Sequence, residues 1–388
     1  MHFPKYPPNV AQTISKQVKF HVEGVVEDSA LIDNDEWFEI DRKFGIFDRS
    51  ELRIGELLGS GGFSDVYEVL DFELSDGGNR ILSSSQVATR KQYQITPLGN
   101  NGKSKYAIKH LKAELMEDFS LFCIAACDLV LEAQYLSRLN HDNVLKIHGW
   151  SYGGTDSFSN GKHDDYFLIL ERLHETLDSR IETWKKSELR SSRTSKEVTS
   201  LQGMECFIIR ERTNVAFGIA SALEYLHKKN IVFRDLKPDN VGFDERGTVK
   251  IFDFGMAREL PRKLVNMNEV YEMSGKIGTA RYMAPEVLLG QRYNQKVDSY
   301  SWSMLYWMCL MLELPYGKMT RSDHSVLVCQ QGQRPNLSDC IWSDSISDLL
   351  ENSWAQNVRC RLSMTEICDC LINIQKGVAC DSRKDRTS

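Results

Sequence analysis

Four short motifs in the 388-residue chain combine glycine, lysine and carboxylate residues in an order that could do chemistry on a phosphate group. They are Gly59-Ser60-Gly61-Gly62-Phe63-Ser64, Tyr106-Ala107-Ile108-Lys109, Phe233-Arg234-Asp235-Leu236-Lys237-Pro238-Asp239-Asn240 and Asp253-Phe254-Gly255. Each motif alone is common in proteins of many kinds. Their order and mutual spacing carry the information, so the elements that position them decide what they can do.

The glycine-rich segment joins two predicted strands, residues 52–58 and 66–72. Because glycine lets the backbone come close to a ligand, the amide N–H groups of such a turn can surround phosphate oxygens. A dinucleotide-binding turn would open a helix, whereas this one leads into a strand. A simple hairpin turn explains the same glycines, so both interpretations stand at this point.

Lys109 alternates with apolar neighbours in a predicted strand over residues 105–111, so its ammonium could point inward at a phosphate. An inward ammonium needs a counter-charge, because an unpaired buried charge is costly. We choose Glu132, which lies one turn before the apolar Leu136 in a predicted helix over residues 119–139. An exposed lysine at a strand edge and a solvated helix glutamate are the alternatives.

The composition is that of a globular protein with a sizeable core, because 41% of the residues are hydrophobic and 26% are charged. Fibrous and wholly disordered chains are excluded, and the net charge of −6 gives no sign of a nucleic-acid partner. Ten cysteines without a C-x-x-C pair are typical of a reduced, cytoplasmic protein. The longest apolar run, residues 302–312, predicts a buried core helix, and we expect no membrane span.

The pattern of elements divides the chain into a strand-rich N-terminal half and a helix-rich C-terminal half, which predicts an α+β protein of two lobes. Residues 73–104 are rich in Ser, Gly, Asn and Gln with no sustained period, so we interpret them as a loop insertion. Residues 185–205 are polar and rich in Ser, Lys and Arg, and we interpret them as a second insertion. Residues 1–50 are expected to form an N-terminal extension that partly packs on the main body. Residues 377–388 are expected to be a flexible tail.

Together the motifs resemble the signature set of the eukaryotic-type protein kinases. The resemblance runs from about Leu52 to Ile374 and includes Ala284-Pro285-Glu286, Asp298 and Arg361. It implies the bilobal protein kinase fold, with a five-stranded N-lobe sheet, one key helix and a mostly helical C-lobe. The kinase domain would cover residues 51–376, with an N-lobe over about 51–171 and a C-lobe over about 174–376.

The resemblance also implies a role for each catalytic residue. Lys109, paired with Glu132, would hold the α- and β-phosphates of ATP. Asp235 would orient the substrate hydroxyl and take its proton late, since a carboxylate of ordinary pKa is a weak base. Lys237 would neutralise charge that develops on the transferred phosphoryl group. Thr279 would reach towards Asp235 and Lys237, as in Ser/Thr kinases.

ATP and Mg²⁺ are the implied cofactors, and Asn240 and Asp253 are the implied oxygen ligands of the metal. Leu170 would lie beside the adenine, Val66 and Ala107 would cover it, and the backbone of residues 171–173 would contact its edge. The residues implied to surround the nucleotide are Gly59, Ser60, Gly61, Gly62, Phe63, Ser64, Val66, Ala107, Lys109, Leu170, Glu171, Leu173 and Asn240.

Three positions depart from the family pattern. Ser64 replaces the third glycine of the phosphate loop, and we expect a modest effect on nucleotide affinity. Phe233 replaces the usual histidine before Arg-Asp, where an aromatic ring can fill the same space against Phe254. Gly242 stands where a large apolar residue usually lies beneath the adenine. None of these changes removes an acid, a base or a metal ligand.

Arg234 implies activation by phosphorylation, because an arginine at this position can pair with a phosphate on the activation segment. Ser274 is the first candidate for such a phosphate and Tyr271 the second, which would require an upstream activating kinase. Ser274 as an ordinary turn residue is the equal alternative. Glu286 and Arg361 are expected to form a structural ion pair in the C-lobe.

The resemblance implies an ATP-dependent kinase that phosphorylates Ser/Thr hydroxyls of protein substrates in intracellular signalling. Lys237-Pro238 favours Ser/Thr over Tyr, and Trp354 with Arg361 is similar to the tyrosine-kinase-like group of Ser/Thr enzymes. A pseudokinase scaffold or ATP-binding regulatory module is the alternative. A kinase of small molecules on a related fold is a third hypothesis, which the Ala-Pro-Glu motif disfavours.

Overall fold

The computed structural model of the chain describes residues 5–27, 29, 44–74, 82–95, 99, 102–194, 201–260, 280–337 and 342–384. The chain divides into two compact units. The N-terminal unit comprises Met1–Asn140, Val144–Leu173 and Asp253–Gly255. The C-terminal unit comprises His141–Asn143, His174–Phe252 and Met256–Ser388.

A six-stranded sheet is the frame of the N-terminal unit. Its strands are β1 (Gly45–Phe47), β2 (Leu52–Ser60), β3 (Ser64–Phe72), β4 (Tyr106–Leu111), β5 (Ile147–Ser151) and β6 (Phe167–Glu171). They lie in the order β1-β5-β6-β4-β3-β2, with β1 parallel to β5 and every other neighbouring pair antiparallel. The five expected strands are present, and β1 is a sixth that comes from the segment predicted as an N-terminal extension.

The short strand β1 is held by its side chains as well as by its pairing with β5. Phe47 is fully buried, and its ring centroid lies 5.0 Å from that of Phe72 and 5.4 Å from that of Tyr93. The carbonyl of Phe47 also accepts a hydrogen bond of 2.7 Å from the backbone N–H of Tyr152. A strand of three residues is too short to show a period, so only its tertiary contacts reveal it.

Three helices pack in the N-terminal unit: α1 (Pro8–Glu27), α2 (Ser84–Ile95) and α3 (Phe119–Arg138). The position of α2 corrects the sequence prediction, because it lies where a loop insertion was expected over residues 73–104. The helix buries Tyr93 and Arg90, and the Arg90 guanidinium lies 2.5 Å from the buried Glu51 carboxylate. A helix that is held by a buried ion pair and one aromatic ring has no apolar period, and the pattern therefore misses it.

Helix α3 begins at the predicted residue because the Asp118 side chain accepts a hydrogen bond of 3.0 Å from the Leu121 N–H, which caps the first turn. Among the described residues it is the one helix long and apolar enough to cross a membrane. Over its most apolar window 56% is buried inside the protein, as is typical of a core helix. The expected absence of a membrane span stays a prediction.

The C-terminal unit is mostly helical. Its helices are α4 (Leu177–Thr194), α5 (Leu201–Lys228), α6 (Pro285–Leu288), α7 (Lys296–Met311), the consecutive segments Arg321–Asp323 and His324–Gln330, α8 (Asp344–Ser353) and α9 (Met364–Lys384). Its short strands are β7 (Glu175–Thr176), β8 (Ile231–Val232), β9 (Val241–Phe243), β10 (Val249–Ile251) and β11 (Arg258–Glu259). They pair as β10-β9-β7 and as β11-β8.

The core of this unit is built around α7, as the apolar run over residues 302–312 predicts. Trp302 is fully buried, and its indole N–H donates a hydrogen bond of 2.9 Å to the carbonyl of Ala216 on α5. The prediction of a buried core helix is confirmed. Two other stretches are more helical than predicted, because α4 and α5 cover most of residues 185–205 and α9 continues through the expected tail to Lys384.

The expected ion pair between Glu286 and Arg361 is present and buried. The two guanidinium nitrogens Nη1 and Nη2 lie 2.6 and 3.1 Å from the two carboxylate oxygens. Nη1 also donates to the carbonyl of Lys296, which ties the loop before α9 to the start of α7. The paired geometry satisfies both charges within the unit.

Arg361→Met should lower the free energy of unfolding by about 3–5 kcal/mol, because it leaves the buried Glu286 carboxylate without its partner. Urea unfolding followed by tryptophan fluorescence measures the change. Arg359→Met is the matched control, since Arg359 is exposed two residues away, and its effect should stay within about 0.5 kcal/mol. Equal losses in the two variants would contradict this prediction.

Candidate active site

The glycine-rich segment forms the tip of the hairpin between β2 and β3. The N–H of Gly61 donates a hydrogen bond of 2.8 Å to the carbonyl of Ser64, which closes the turn. A Cβ atom built on Gly59 or Gly62 meets no other atom within 4 Å, and neither glycine has a positive φ. The fold itself therefore does not require glycine at these two positions. The space next to the backbone of both glycines is open.

The sheet next to this hairpin places four predicted nucleotide-binding residues on one face. Val66 on β3 is directly opposite Lys109 on β4, and Ala107 is directly opposite Leu170 on β6. Directly opposed residues of neighbouring strands point to the same face, and so do residues two apart on one strand. The register thus groups Val66, Lys109, Ala107 and Leu170.

The segment after β6 is anchored within the N-terminal unit through its backbone. The N–H of Glu171 donates a hydrogen bond of 2.9 Å to the carbonyl of Lys146, and the N–H of Arg172 donates one of 2.9 Å to the carbonyl of Lys105. These bonds anchor the start of the segment 171–173 that is predicted to contact the adenine edge, and the unit ends at Leu173.

Lys109 is the charged centre of this unit. Its ammonium Nζ lies 2.6 Å from Oε2 of Glu132 on α3 and 3.1 Å from Oδ1 of Asp253. The side chains of Lys109 and Glu132 are 9% and 2% exposed, whereas that of Asp253 is 45% exposed. The structure therefore brings the predicted lysine and its predicted partner together, with a second carboxylate that is open on one side.

The two carboxylates decide the charge of the buried lysine. Burial alone lowers the pKa of Lys109, but Asp253 and Glu132 together outweigh it and raise the pKa above its ordinary value. Lys109 is therefore positively charged across the neutral range. Burial raises the pKa of the Glu132 carboxyl and Lys109 acts in the opposite direction, so the charge of Glu132 depends on the ammonium beside it.

Asp253 reaches this cluster because its backbone is unusual and because α3 comes very close to it. Its φ of 69° lies in the left-handed region, which a non-glycine residue adopts only where its surroundings impose it. A Cβ atom on Gly255 would lie 3.3 Å from Cβ of Asp128 on α3, tighter than an ordinary contact. Glycine at this position lets the Asp253 segment lie directly against α3.

In the C-terminal unit, three residues of the third motif form a compact polar group. The Lys237 ammonium lies 2.6 Å from Oδ2 of Asp235. Nδ2 of Asn240 donates hydrogen bonds of 2.8 and 3.0 Å to the backbone carbonyl and to Oδ2 of Asp235. Because the nitrogen of the Asn240 amide is engaged with Asp235, its oxygen is the atom that can serve a cation.

Asp298 fixes the backbone that carries Asp235. This carboxylate at the start of α7 is fully buried and accepts hydrogen bonds of 2.8 Å from the N–H groups of Phe233 and Arg234. Nε2 of His227 lies 2.8 Å from the same oxygen that Phe233 contacts. Arg234 has a φ of 71°, so the carboxylate holds a backbone conformation that the residue would otherwise rarely adopt.

Several predicted residues lie outside the part of the chain that the structure describes. They are Thr279, Ser274 and Tyr271. Phe233 and Phe254 are each fully buried, and the expected packing between them stays a prediction. Gly242 lies in β9, opposite Lys250 and Thr176.

Comparison with known proteins identifies the family. A family profile described as "Protein kinase domain" matches residues 97–370. The chain belongs to the protein kinase family. The matched region covers more than half of the chain and contains Lys109, Asp235 and Asp253, three of the charged residues that the predicted chemistry uses.

Curated relatives of this kinase-family chain include proteins of a plant and of an amoeba. It is 35% identical to serine/threonine-protein kinase STY17 of Arabidopsis thaliana over 46% of this chain and 30% of that protein. It is 35% identical to serine/threonine-protein kinase STY46 of the same plant over 45% of this chain and 29% of that protein. These two relatives belong to the tyrosine-kinase-like group, as the sequence predicts.

A probable serine/threonine-protein kinase of Dictyostelium discoideum is 26% identical over 82% of this chain and 19% of that protein. The chain thus spans less than a third of the length of these three curated relatives. The likeness leaves most of each relative unmatched.

Sequence reasoning recognised Asp298 as part of the family pattern but missed what it holds. The available signal is a lone carboxylate at the start of an otherwise apolar helix, which must find hydrogen-bond donors if it is buried. The role of His227 carries no comparable signal, because a histidine near the end of a helix is common. The pairing of Glu51 with Arg90 was also missed, because Arg90 lies inside a segment predicted as a loop insertion.

Asp298→Asn should lower the free energy of unfolding by about 1–3 kcal/mol, because the amide turns an N–H₂ group towards backbone N–H donors and leaves one donor unsatisfied. Asp369→Asn is the control, since Asp369 is exposed on α9. Urea unfolding of both variants measures the difference. If Asp298→Asn is as stable as Asp369→Asn, the Asp298 carboxylate does not fix the backbone that carries Asp235.

Proposed function

We propose that this chain is a protein serine/threonine kinase that transfers the γ-phosphoryl group of ATP to Ser and Thr hydroxyls of protein substrates, with Mg²⁺ as its metal. The observation that carries the proposal is the buried Lys109 ammonium held between Glu132 and Asp253. A fixed ammonium on the face of a sheet can bind an anion, and the family implies that this anion is the triphosphate of ATP.

The residues present fit a nucleotide and a divalent cation. The open backbone at Gly59 and Gly62 offers amide groups at close range to phosphate oxygens. The half-exposed Asp253 carboxylate and the amide oxygen of Asn240 are hard oxygen donors, the kind that Mg²⁺ prefers. Bound MgATP supplies the phosphoryl group, and its metal neutralises negative charge on the phosphates.

The chain's own groups supply the acceptor chemistry. The Asp235 carboxylate accepts a hydrogen bond from the substrate hydroxyl, orients the hydroxyl oxygen for in-line attack and takes the proton as the new bond forms. Asn240 and Lys237 hold this carboxylate in place through Oδ2. The Lys237 ammonium also places positive charge next to the reacting oxygens.

The choice of Ser/Thr rests on Lys237-Pro238 and on the names of the plant and amoebal relatives, all of which are called serine/threonine kinases. We further propose a role in cytoplasmic signalling, with protein substrates and an upstream activating kinase as partners. The cysteines with free thiols support a reducing compartment, and they are Cys123, Cys127, Cys309, Cys329, Cys360, Cys368 and Cys370.

Transfer of ³²P from γ-labelled ATP to a generic basic protein should be readily measured for the wild-type chain. Asp235→Asn should reduce transfer by about 100-fold or more, because it removes the acceptor of the hydroxyl proton. Lys109→Met should reduce transfer by about 100-fold, because it removes a preorganised charge. Phosphoamino-acid analysis should show phosphoserine and phosphothreonine.

The controls are Asp369→Asn and Lys105→Met, which change exposed residues and should leave transfer unchanged. Equal transfer by the wild type and Asp235→Asn would overturn the enzymatic proposal and favour a regulatory ATP-binding module. Phosphotyrosine as the main product would overturn the Ser/Thr assignment alone.

Chelation of divalent cations with EDTA should abolish transfer, and excess Mg²⁺ should restore it. Ca²⁺ should restore much less, because it prefers longer bonds and a larger number of ligands. Asp253→Asn should raise the Mg²⁺ concentration needed for half-maximal transfer, because it removes the one negatively charged group of the two proposed metal ligands, Asp253 and Asn240. Transfer that persists in EDTA would contradict a role for the metal.

A further inference from the structure

Helix α1 is docked on the N-terminal unit along one face. Ala11, Ile14, Val18 and Val22, at steps of three and four residues, are at most 2% exposed, whereas Phe20 on the other face is 80% exposed. This spacing is that of an amphipathic helix with its apolar stripe against a partner surface. The partner surface consists of α3 and the 3₁₀-helical segment Gly154–Asn160.

Two contacts tie the N-terminal segment to the first turns of α3. The ring of Tyr6 meets the ring of Phe122 edge-on, with centroids 5.4 Å apart. The Cys123 thiol donates a hydrogen bond of 3.5 Å to the side-chain oxygen of Gln17. Phe122 is 1% exposed, so the aromatic contact lies in the interior of the unit.

The segment before α1 also contacts the turn that follows Gly154–Asn160, on the other side of the surface against which α1 packs. The N–H of Tyr6 donates a hydrogen bond of 2.9 Å to the carbonyl of Gly161. Gly161 has a φ of 78°, and a Cβ atom there would lie 2.6 Å from the carbonyl oxygen of Tyr6. Glycine at this position is what lets the chain before α1 come so close.

Helix α3 joins this dock to the charged cluster. Glu132 lies further along the same helix, roughly 15 Å from Phe122 at a rise of about 1.5 Å per residue. A helix of this length moves nearly as a rigid rod, so its N-terminal turns and Glu132 shift together. The Asp128 turn of α3 lies against Gly255, and α1 therefore packs on a helix that also supports the Asp253 segment.

We infer that α1 is a positioning element for the nucleotide site: its docking on α3 holds Glu132 at the distance where it pairs with Lys109. The inference rests on the proposed kinase function for its effect on catalysis. The positioning itself is a property of the N-terminal unit alone. With α1 displaced, α3 is free to shift, the Lys109–Glu132 pair lengthens, and the lysine loses its fixed orientation towards the phosphates.

A helix that merely adds stability would pack in the same way, so the test must separate the two roles. Val18→Asp in the full chain places a charge in the dock and displaces α1, whereas Phe20→Asp makes the same change on the exposed face two residues away. Val18→Ala is a milder variant that weakens the dock without introducing a charge.

The deciding measurement is a double-mutant cycle on kcat/KM for ATP. Val18→Asp should lower kcat/KM by about tenfold or more in the otherwise wild-type chain, but by less than about threefold in a Glu132→Gln background, where the pair is already lost. Val18→Ala should give a smaller loss of the same kind, and Phe20→Asp none. Losses that multiply in the Glu132→Gln background would show a general structural role and overturn the inference.

Hydrogen exchange gives a second readout that does not depend on catalysis. Amides of residues 119–138 should exchange faster in Val18→Asp and Val18→Ala than in the wild type, and at the wild-type rate in Phe20→Asp. Unchanged exchange in α3 would overturn the inference. If the wild-type chain transfers no phosphate, the proposed function fails, while exchange in α3 still tests whether α1 holds that helix.

Discussion

A buried ammonium is the constraint on which the N-terminal unit depends. Lys109 lies on a strand with sheet neighbours on both sides, where an unpaired charge would be strongly destabilising. Glu132 and Asp253 compensate it from α3 and from a segment more than a hundred residues further along the chain. Three elements must therefore meet within hydrogen-bond distance for this sheet to fold with its lysine charged. The same requirement leaves one carboxylate half-exposed, which is the position from which a cation can be held.

In the C-terminal unit the buried charge is negative, and it is compensated in the same way by nearby groups of opposite polarity. The buried charge is the Asp298 carboxylate, and it is compensated by the backbone N–H groups of Phe233 and Arg234 and by His227. The donors belong to the loop that carries Asp235, so satisfying the charge also sets the loop's shape. The positive φ of Arg234 is part of that shape and is held by the two hydrogen bonds. A buried charge thus acts as a template for an otherwise strained backbone.

The sequence predicts those elements whose burial produces a hydrophobic pattern, and those contacts that a buried charge needs. The strands around Lys109 follow from alternation, helix α3 follows from helical spacing and core helix α7 follows from its apolar run. The partner of Lys109 follows from the cost of burying an unpaired ammonium. Helix α2 escaped because its burial depends on Arg90, whose partner Glu51 is far away in sequence. Strand β1 escaped because three residues show no period. In both cases the deciding interaction is tertiary and leaves no mark on local composition.

The glycines separate what the fold needs from what a ligand needs. Gly161 is crowded, with a built Cβ atom only 2.6 Å from the Tyr6 carbonyl oxygen, so the chain itself requires glycine there. At Gly255 the built Cβ atom lies 3.3 Å from Cβ of Asp128, a tighter contact than usual that favours glycine. Gly59 and Gly62 are surrounded by open space and neither has a positive φ, so alanine at either position would reduce the entropy of the unfolded chain without a clash in the folded one. Glycine at such positions is a cost to stability that nothing inside the protein offsets. The proposed nucleotide, whose phosphates would approach the backbone closely, supplies a reason for these glycines, and the Lys109 ammonium in the same unit favours an anion.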